Sequence, residues 1–362
     1  MRSFLAIVMA LAALAAAGGE EALATIDYAE GPVSVTRDGA ALPNPGIGDE
    51  IHDGDLVATG AGATLSLKLE KATGMSGSVK VSPNTSFYFS VDSVKGEKQS
   101  LAELIAGQVG LKVKKIGGAP GFSVSAGSAV CAVRGTEFDV VSSPGGSLLV
   151  GCSEGEVECS SEGASASAVP GQAVEKLEDA KLARRAVALA DYENFKARWI
   201  AGEAEAFKKN APRAARRIAL RYFDLAERLV ANHERIAASG ALKAWLQEER
   251  SGSPPAMSDE ELDRRLAELG PLLADSRAIL ASMERVATRV AALEDVVGND
   301  PAIMAQQVRA GVTIADFFKR FEVAKEKDKQ RILALRKALK LWKRAIMERE
   351  RRKGRDQGVT AG

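Results

Sequence analysis

Four carboxylates crowd one short stretch, Asp49, Glu50, Asp53 and Asp55, in the run Gly48-Asp49-Glu50-Ile51-His52-Asp53-Gly54-Asp55. Hard oxygen ligands of this kind suit calcium, but the spacing does not follow the EF-hand loop. The plainer reading is a set of solvated turn acids. Three cysteines, Cys131, Cys152 and Cys159, would allow one disulfide and one remaining thiol in an oxidising compartment. Cys152 and Cys159 flank an expected turn at Glu154-Gly155 and form the candidate bridge. In a two-residue hairpin they would sit diagonally, which strains such a bond. The competing reading makes all three small, buried strand residues.

Enzyme chemistry finds little to work with. The two histidines, His52 and His233, fall in different regions and assemble no Cys/His zinc site. His233, between Asn232 and Glu234 on an expected helix, reads as a solvated side chain rather than a general base. No H-E-x-x-H, Walker or C-x-x-C pattern occurs, and the one G-x-S-x-G match is not an elbow. Gly151-Cys152-Ser153-Glu154-Gly155 enters a hairpin and does not open a helix, so it is not a nucleophile elbow. The expectation is a chain with no catalytic site, no cofactor and no metal.

The elements that must position these residues divide the chain in two. Residues 25–174 read as an all-β domain, a roll or solenoid-like arrangement of short strands. Pro32-Val33-Ser34-Val35-Thr36 runs to the turn dipeptide Asp38-Gly39. Leu65-Ser66-Leu67-Lys68-Leu69 alternates with period two. Val79-Lys80-Val81, Leu111-Lys112-Val113, Phe138-Asp139-Val140 and Leu148-Leu149-Val150 continue the pattern between Gly-rich turns. Residues 101–106 suit either a helical turn or a strand.

Near Gln172 the text changes to Ala, Arg, Lys, Glu and Leu. Residues 175–250 and 258–353 read as helical segments in an antiparallel, coiled-coil-like arrangement, giving a segregated α+β fold. Residues 251–257 form a linker and 354–362 a disordered tail. Ser258-Asp259-Glu260-Glu261 is a capping box. Pro271 should kink or restart its helix, and Gly298-Asn299-Asp300-Pro301 should stop it. Ile332, Leu335, Leu339, Trp342 and Ile346 make a two-heptad seam, which suits packing inside the bundle or, alternatively, self-association through the C-terminal helix.

Charge follows the same division. Of the +1 net charge, residues 25–175 hold 10 Lys+Arg against 18 Asp+Glu, a net of −8, and residues 176–362 hold 38 against 28, a net of +10. Such a split points to separate partners or to mutual docking. The plainer reading is that mixed-sign helices keep a long helical region soluble. Residues 331–355 carry 11 basic side chains against Glu348 and Glu350. Anionic phospholipid or a cell-wall polymer fits that tail better than nucleic acid, and a solvated helix end fits it more simply still.

Arg2 followed by the apolar residues 4–17 and two A-x-A sites reads as a secretory signal peptide, with cleavage after Ala17 or Ala24 and a periplasmic or secreted product. The run is too short to span a bilayer, and no span is expected after cleavage.

The β region resembles the FecR domain family over residues 28–175. The resemblance rests on several pieces in order: Gly31-Pro32-Val33-Ser34-Val35; Gly48 through Gly60 with Gly54, Asp55 and Thr59; Asn84-Thr85; Phe122-Ser123-Val124; Val133-Arg134-Gly135-Thr136-Glu137-Phe138-Asp139-Val140; Gly155-Glu156-Val157; and Val169-Pro170-Gly171-Gln172. It implies an envelope β domain. The best-known members are signal transducers that relay a receptor's state to an anti-sigma segment. Others are exported modules joined to varied regions, and the signal-peptide reading puts this chain with those, bound to an envelope protein or cell-wall polymer. Arg134, in an apolar strand, needs carboxylate or carbonyl partners, and Glu137 with the Asp53/Asp55 group are candidates. It reads as a structural pair fixing a strand crossing, or as a ligand contact.

Overall fold

The computed structural model describes residues 21–94, 97–115, 122–127, 129–133, 135–178, 180–251, 257–298 and 300–359. Most of the expected signal peptide, Arg134 and most of the expected linker lie outside them.

Within these residues the fold is a segregated α+β arrangement, with strands in the N-terminal half and helices in the C-terminal half. One strand organises the β half. Glu97–Lys115 runs for 19 residues. Its first part pairs antiparallel with Ser86–Val94 and parallel with Phe122–Ala126. Its second part pairs antiparallel with Met75–Val81 and Thr136–Ser142. The strand passes from one set of neighbours to the other at Gly107, which takes φ +94, a value that glycine accepts without steric cost. A Cβ there would collide with Thr85 Oγ1, the group that accepts a hydrogen bond from the Gln108 amide at 2.9 Å. Residues 101–106 are therefore strand and not a helical turn.

Period-two alternation turns into a single core. Thr64–Leu69 buries Leu65, Leu67 and Leu69 and turns the intervening residues outward. Ala129–Val133 and Val157–Ser161 do the same. Phe87, Phe89 and Phe122 meet at the centre, with ring centroids 5.3 and 6.5 Å apart. Each such buried side chain contributes about 1.5–3 kcal/mol of transfer free energy.

The helices are α1 (Tyr192–Lys209), α2 (Ala211–Ala238), α3 (Gly240–Ser251), α4 (Asp259–Leu273), α5 (Ser276–Val297), α6 (Pro301–Met304) and α7 (Ile314–Val359). The expected first helix from Glu175 begins only at Tyr192. Residues 172–176 and 183–186 instead pair as two more strands, and Val174 and Glu175 are buried there. A sheet position that buries Ala173 through Lys176 in succession outcompetes the helix propensity of a short Ala/Lys/Arg run. At the other end the α7 backbone continues to Val359, past the expected end at Lys353.

Helix boundaries follow their caps. Ser258 Oγ accepts from the Glu261 amide at 3.2 Å. The Glu261 carboxylate turns instead to Arg264 and Arg265, at 2.7 and 2.6 Å. Pro271 lies inside α4, and the chain breaks three residues later, before α5. Asp300 caps α6 by accepting from the Ala302 amide at 2.9 Å. The seam on α7 packs within the chain. Leu335, Ala338 and Leu339 are buried, and Arg349 pairs with Asp259 and Asp263 on α4 at 2.7 Å. A second core forms around Tyr222, Phe317 and Phe321, and the Tyr222 hydroxyl donates to Asp328 at 2.7 Å.

Candidate interaction site at the seam between sheet and helices

The acids that looked like a cation cluster are dispersed among separate partners. Asp55 is 1% exposed and takes a forked contact from Arg37, 2.9 Å from Nε and 2.7 Å from the terminal nitrogen. The His52 amide also donates to it, at 2.8 Å. Asp49 caps the Gly46 amide at 2.7 Å, Glu50 lies 3.1 Å from His52 Nε2, and Asp53 faces Lys343 at 3.3 Å. Among the described residues no three His, Cys, Asp or Glu side chains converge on a point that could hold a metal. Arg134 lies outside the described residues; of the acids proposed for it, Asp55 meets Arg37, Asp53 meets Lys343, and Glu137 meets Lys112 at 2.8 Å.

The remaining motif residues lie in turns and paired strands. Gly54, Gly135, Gly155 and Gly171 all take positive φ. Thr59 is buried, donating to the Ser82 carbonyl at 2.6 Å and accepting from the Thr85 amide at 3.1 Å. Gly155 lies against Thr136, where an added Cβ would approach Thr136 Cγ2 to 2.7 Å. Thr136 and Phe138 are buried, and Thr136 Oγ1 has no hydrogen-bond partner among the described residues. All three cysteines are buried, and no S–S bond is closed between them in this structure. The register places Cys159 opposite Cys131, while Cys152 lies opposite Phe138 on a different strand pair. The candidate Cys152–Cys159 bridge is not formed in this structure: Cys159 faces Cys131, a cross-strand partner 28 positions away.

What sequence reading missed is the seam between the two halves. At its centre the Tyr88 hydroxyl donates to Glu284 on α5 at 2.8 Å. Arg336 on α7 lies over the Tyr88 ring, 3.5 Å from its centroid, and donates from Nε to the same Glu284 at 3.1 Å. Burial first, and then the Glu284 carboxylate, push the Tyr88 phenol well above its ordinary range. Burial works against the Arg336 charge, but Glu284 and Tyr88 more than offset it, so its guanidinium is held more firmly protonated than usual. Around this centre Glu103 meets Arg285 at 3.5 Å and Asp38 meets Lys340 at 3.2 Å. Leu333 fits over Gly39, where an added Cβ would come within 2.7 Å. A cleft of about 460 Å³ opens beside Asp38, Leu56, Tyr88, Leu333 and Lys337.

Two further contacts hold the halves together. On α1, Tyr192 donates to Asp139 at 2.6 Å and Lys196 pairs with the same carboxylate at 2.8 Å. Burial raises the Asp139 carboxyl, and Lys196 and Tyr192 oppose that rise without cancelling it. Tyr192 reaches the sheet because Gly151 has no side chain; a Cβ there would collide with the ring. Arg217 on α2 pairs with Glu178, and burial lowers the affinity of Arg289 on α5 for its proton, a loss that Glu178 only partly offsets. Across the seam the β half supplies acids and the helical half mostly bases. The opposite charges of the two halves are thus used in mutual docking. The charge asymmetry was the available signal; the individual partners carried none.

The β half defines the class: a roll of short strands built around one bent central strand. The family model described as "FecR protein" matches residues 55–158, under a third of the chain. The matched segment is shorter than the resemblance read from motifs, and Gly54 and Gly171 fall outside it. No curated protein matches the chain. Two crystal structures, at 1.65 and 2.50 Å resolution, of a "putative anti-sigma factor" from Parabacteroides distasonis align at 15% identity and TM-score 0.32. The alignments cover 38–39% of this chain and 62–63% of that one. Among the described residues no helix is long and apolar enough to cross a membrane.

Proposed function

We propose that this is a non-enzymatic, exported FecR-domain protein of the cell envelope that acts by binding a partner protein or wall polymer. The observation that carries the reading is the FecR match over residues 55–158. The docking described above supports it. A β domain held on its helices by Tyr88, Glu284 and Arg336 presents one fixed surface, and pre-organisation of that kind lowers the ordering cost of association.

The test is photo-crosslinking in cells from positions on the exposed β surface, such as Ile47 and Val130, followed by envelope fractionation. A discrete product with a protein, or retention on purified wall material, is expected. An exported chain that gives neither from any position would sink the reading.

The FecR match also favours a second reading, a component of FecR-type signal transduction. Deletion should then change transcription of a defined set of envelope or uptake genes when the stimulus is applied. An unchanged transcriptome under iron limitation and repletion would count against it.

A further inference from the structure

We infer that Cys131 and Cys159 are a disulfide site: in the oxidised protein they bridge two adjacent strands of the β half and leave Cys152 as the single thiol. The inference is independent of the proposed function.

Three observations carry it. The strands Ala129–Val133 and Val157–Ser161 pair antiparallel with Cys131 directly opposite Cys159. Their Sγ atoms are 2.9 Å apart, and both residues are 0% exposed. Directly opposed antiparallel residues have Cα atoms roughly 4.5–5.5 Å apart, inside the roughly 4.4–6.8 Å that a disulfide spans. The bond therefore needs no backbone movement. The pair cannot drift, because Phe122–Ala126 pairs with the outer side of one strand and Ala164–Ala168 with the outer side of the other. Cys152 has no such arrangement; its thiol donates to the Glu154 carbonyl at 3.2 Å.

The oxidant is a disulfide donor, with oxidised glutathione as the simplest. One cysteine loses its proton and attacks a glutathione sulfur, forming a mixed disulfide and releasing one glutathione thiolate. The second cysteine loses its proton and attacks the first, releasing the other glutathione thiolate. The protein gives up two protons and two electrons, and glutathione disulfide becomes two thiols. The contact with Cys159 first, and then burial, raises the Cys131 thiol well above its ordinary range. Exchange depends on thiolate and on access, so the bond belongs to the folding chain and is shielded once the core has closed. The loop it closes contains the hairpin bearing Asp139 and Gly151, on which α1 is seated.

The test uses the full chain, reduced and unfolded, then refolded in a mixture of reduced and oxidised glutathione. Thiols are counted by alkylation under denaturing conditions, and peptides are mapped by mass spectrometry. The expected result is one alkylated cysteine, Cys152, and a reducible peptide pair joining Cys131 to Cys159. Cys152→Ser should leave the joined pair unchanged and bring the count to zero. In the folded protein, dithiothreitol should open the bond at least about tenfold more slowly than in urea, as a buried disulfide requires. Three alkylated cysteines after refolding, a joined peptide containing Cys152, or equal reduction rates with and without urea would each overturn the assignment.

Discussion

The Tyr88 hydroxyl donates to the Glu284 carboxylate at 2.8 Å across 196 positions of sequence, and Arg336 covers the same ring while binding the same carboxylate. One acid on α5 thereby joins the sheet to α7. Its neighbours are largely shielded, so its removal is not equivalent to the loss of an exposed ion pair.

Glu284→Gln should therefore cost about 3–5 kcal/mol, the range for stranding one partner of a buried pair. Tyr88→Phe should cost about 1 kcal/mol, the net value of one hydrogen bond. In the double variant Tyr88→Phe should cost less than it does alone, because the amide oxygen of Gln accepts more weakly than a carboxylate. Urea unfolding of the four proteins checks this. Lys340→Ala, whose partner Asp38 is exposed, should cost under about 1 kcal/mol, and less in high salt.

Gly151→Ala should destabilise the chain by about 1–3 kcal/mol, the usual cost of forcing an extra carbon into a packed site. The cause is specific: the new Cβ occupies the position of the Tyr192 ring. Adding Tyr192→Leu should recover part of the loss. Trp199 lies in the small cluster under α1, so its fluorescence should shift to the red in Gly151→Ala and shift back in the double variant.

Glu261 is held at about 2 by hydrogen bonds from Arg264 and then Arg265. A carboxyl lowered in the folded state stabilises it fully above the ordinary glutamate range. That contribution is lost as pH falls from about 4.3 toward 2. The start of α4 should loosen in that window, visible as faster amide exchange near Ser258. Arg265→Gln should move the Glu261 midpoint, followed by NMR, up toward the ordinary value.

If the chain is exported as proposed, its mature N-terminus should lie before Leu23. Leu23 and Ala24 are buried, the Leu23 amide donates to the Ile51 carbonyl at 2.8 Å, and Ala24 pairs with Leu69. Cleavage after Ala24 would strip both from the core, whereas cleavage after Ala17 spares them. N-terminal sequencing of the secreted form should begin at Gly18, and a start at Thr25 would contradict this.

The strands were legible where inward and outward residues alternate, as in Thr64–Leu69, and the helices where apolar residues return every three or four positions, as along α2 and α7. The run after Glu175 misled, because its composition suits a helix while its neighbours offered a sheet edge. Asp139 was hidden differently. It sits in a buried strand beside Phe138 and Val140 and looks like any strand acid until Tyr192 and Lys196 arrive from α1. Asp38-Gly39 was readable as a turn and unreadable as the seat of Leu333 and Lys340.

By itself the sequence determined the two-part architecture, the FecR resemblance of the first part and the opposite charges of the two. Those depend on periodicity and composition, which register within a few neighbouring positions. Tertiary structure alone decided that Asp55 pairs with Arg37, that Cys159 faces Cys131, and that Glu284 ties Tyr88 to Arg336. Such pairings follow from strand order and helix docking. They join residues 18 to 196 positions apart, a separation over which no local pattern carries information.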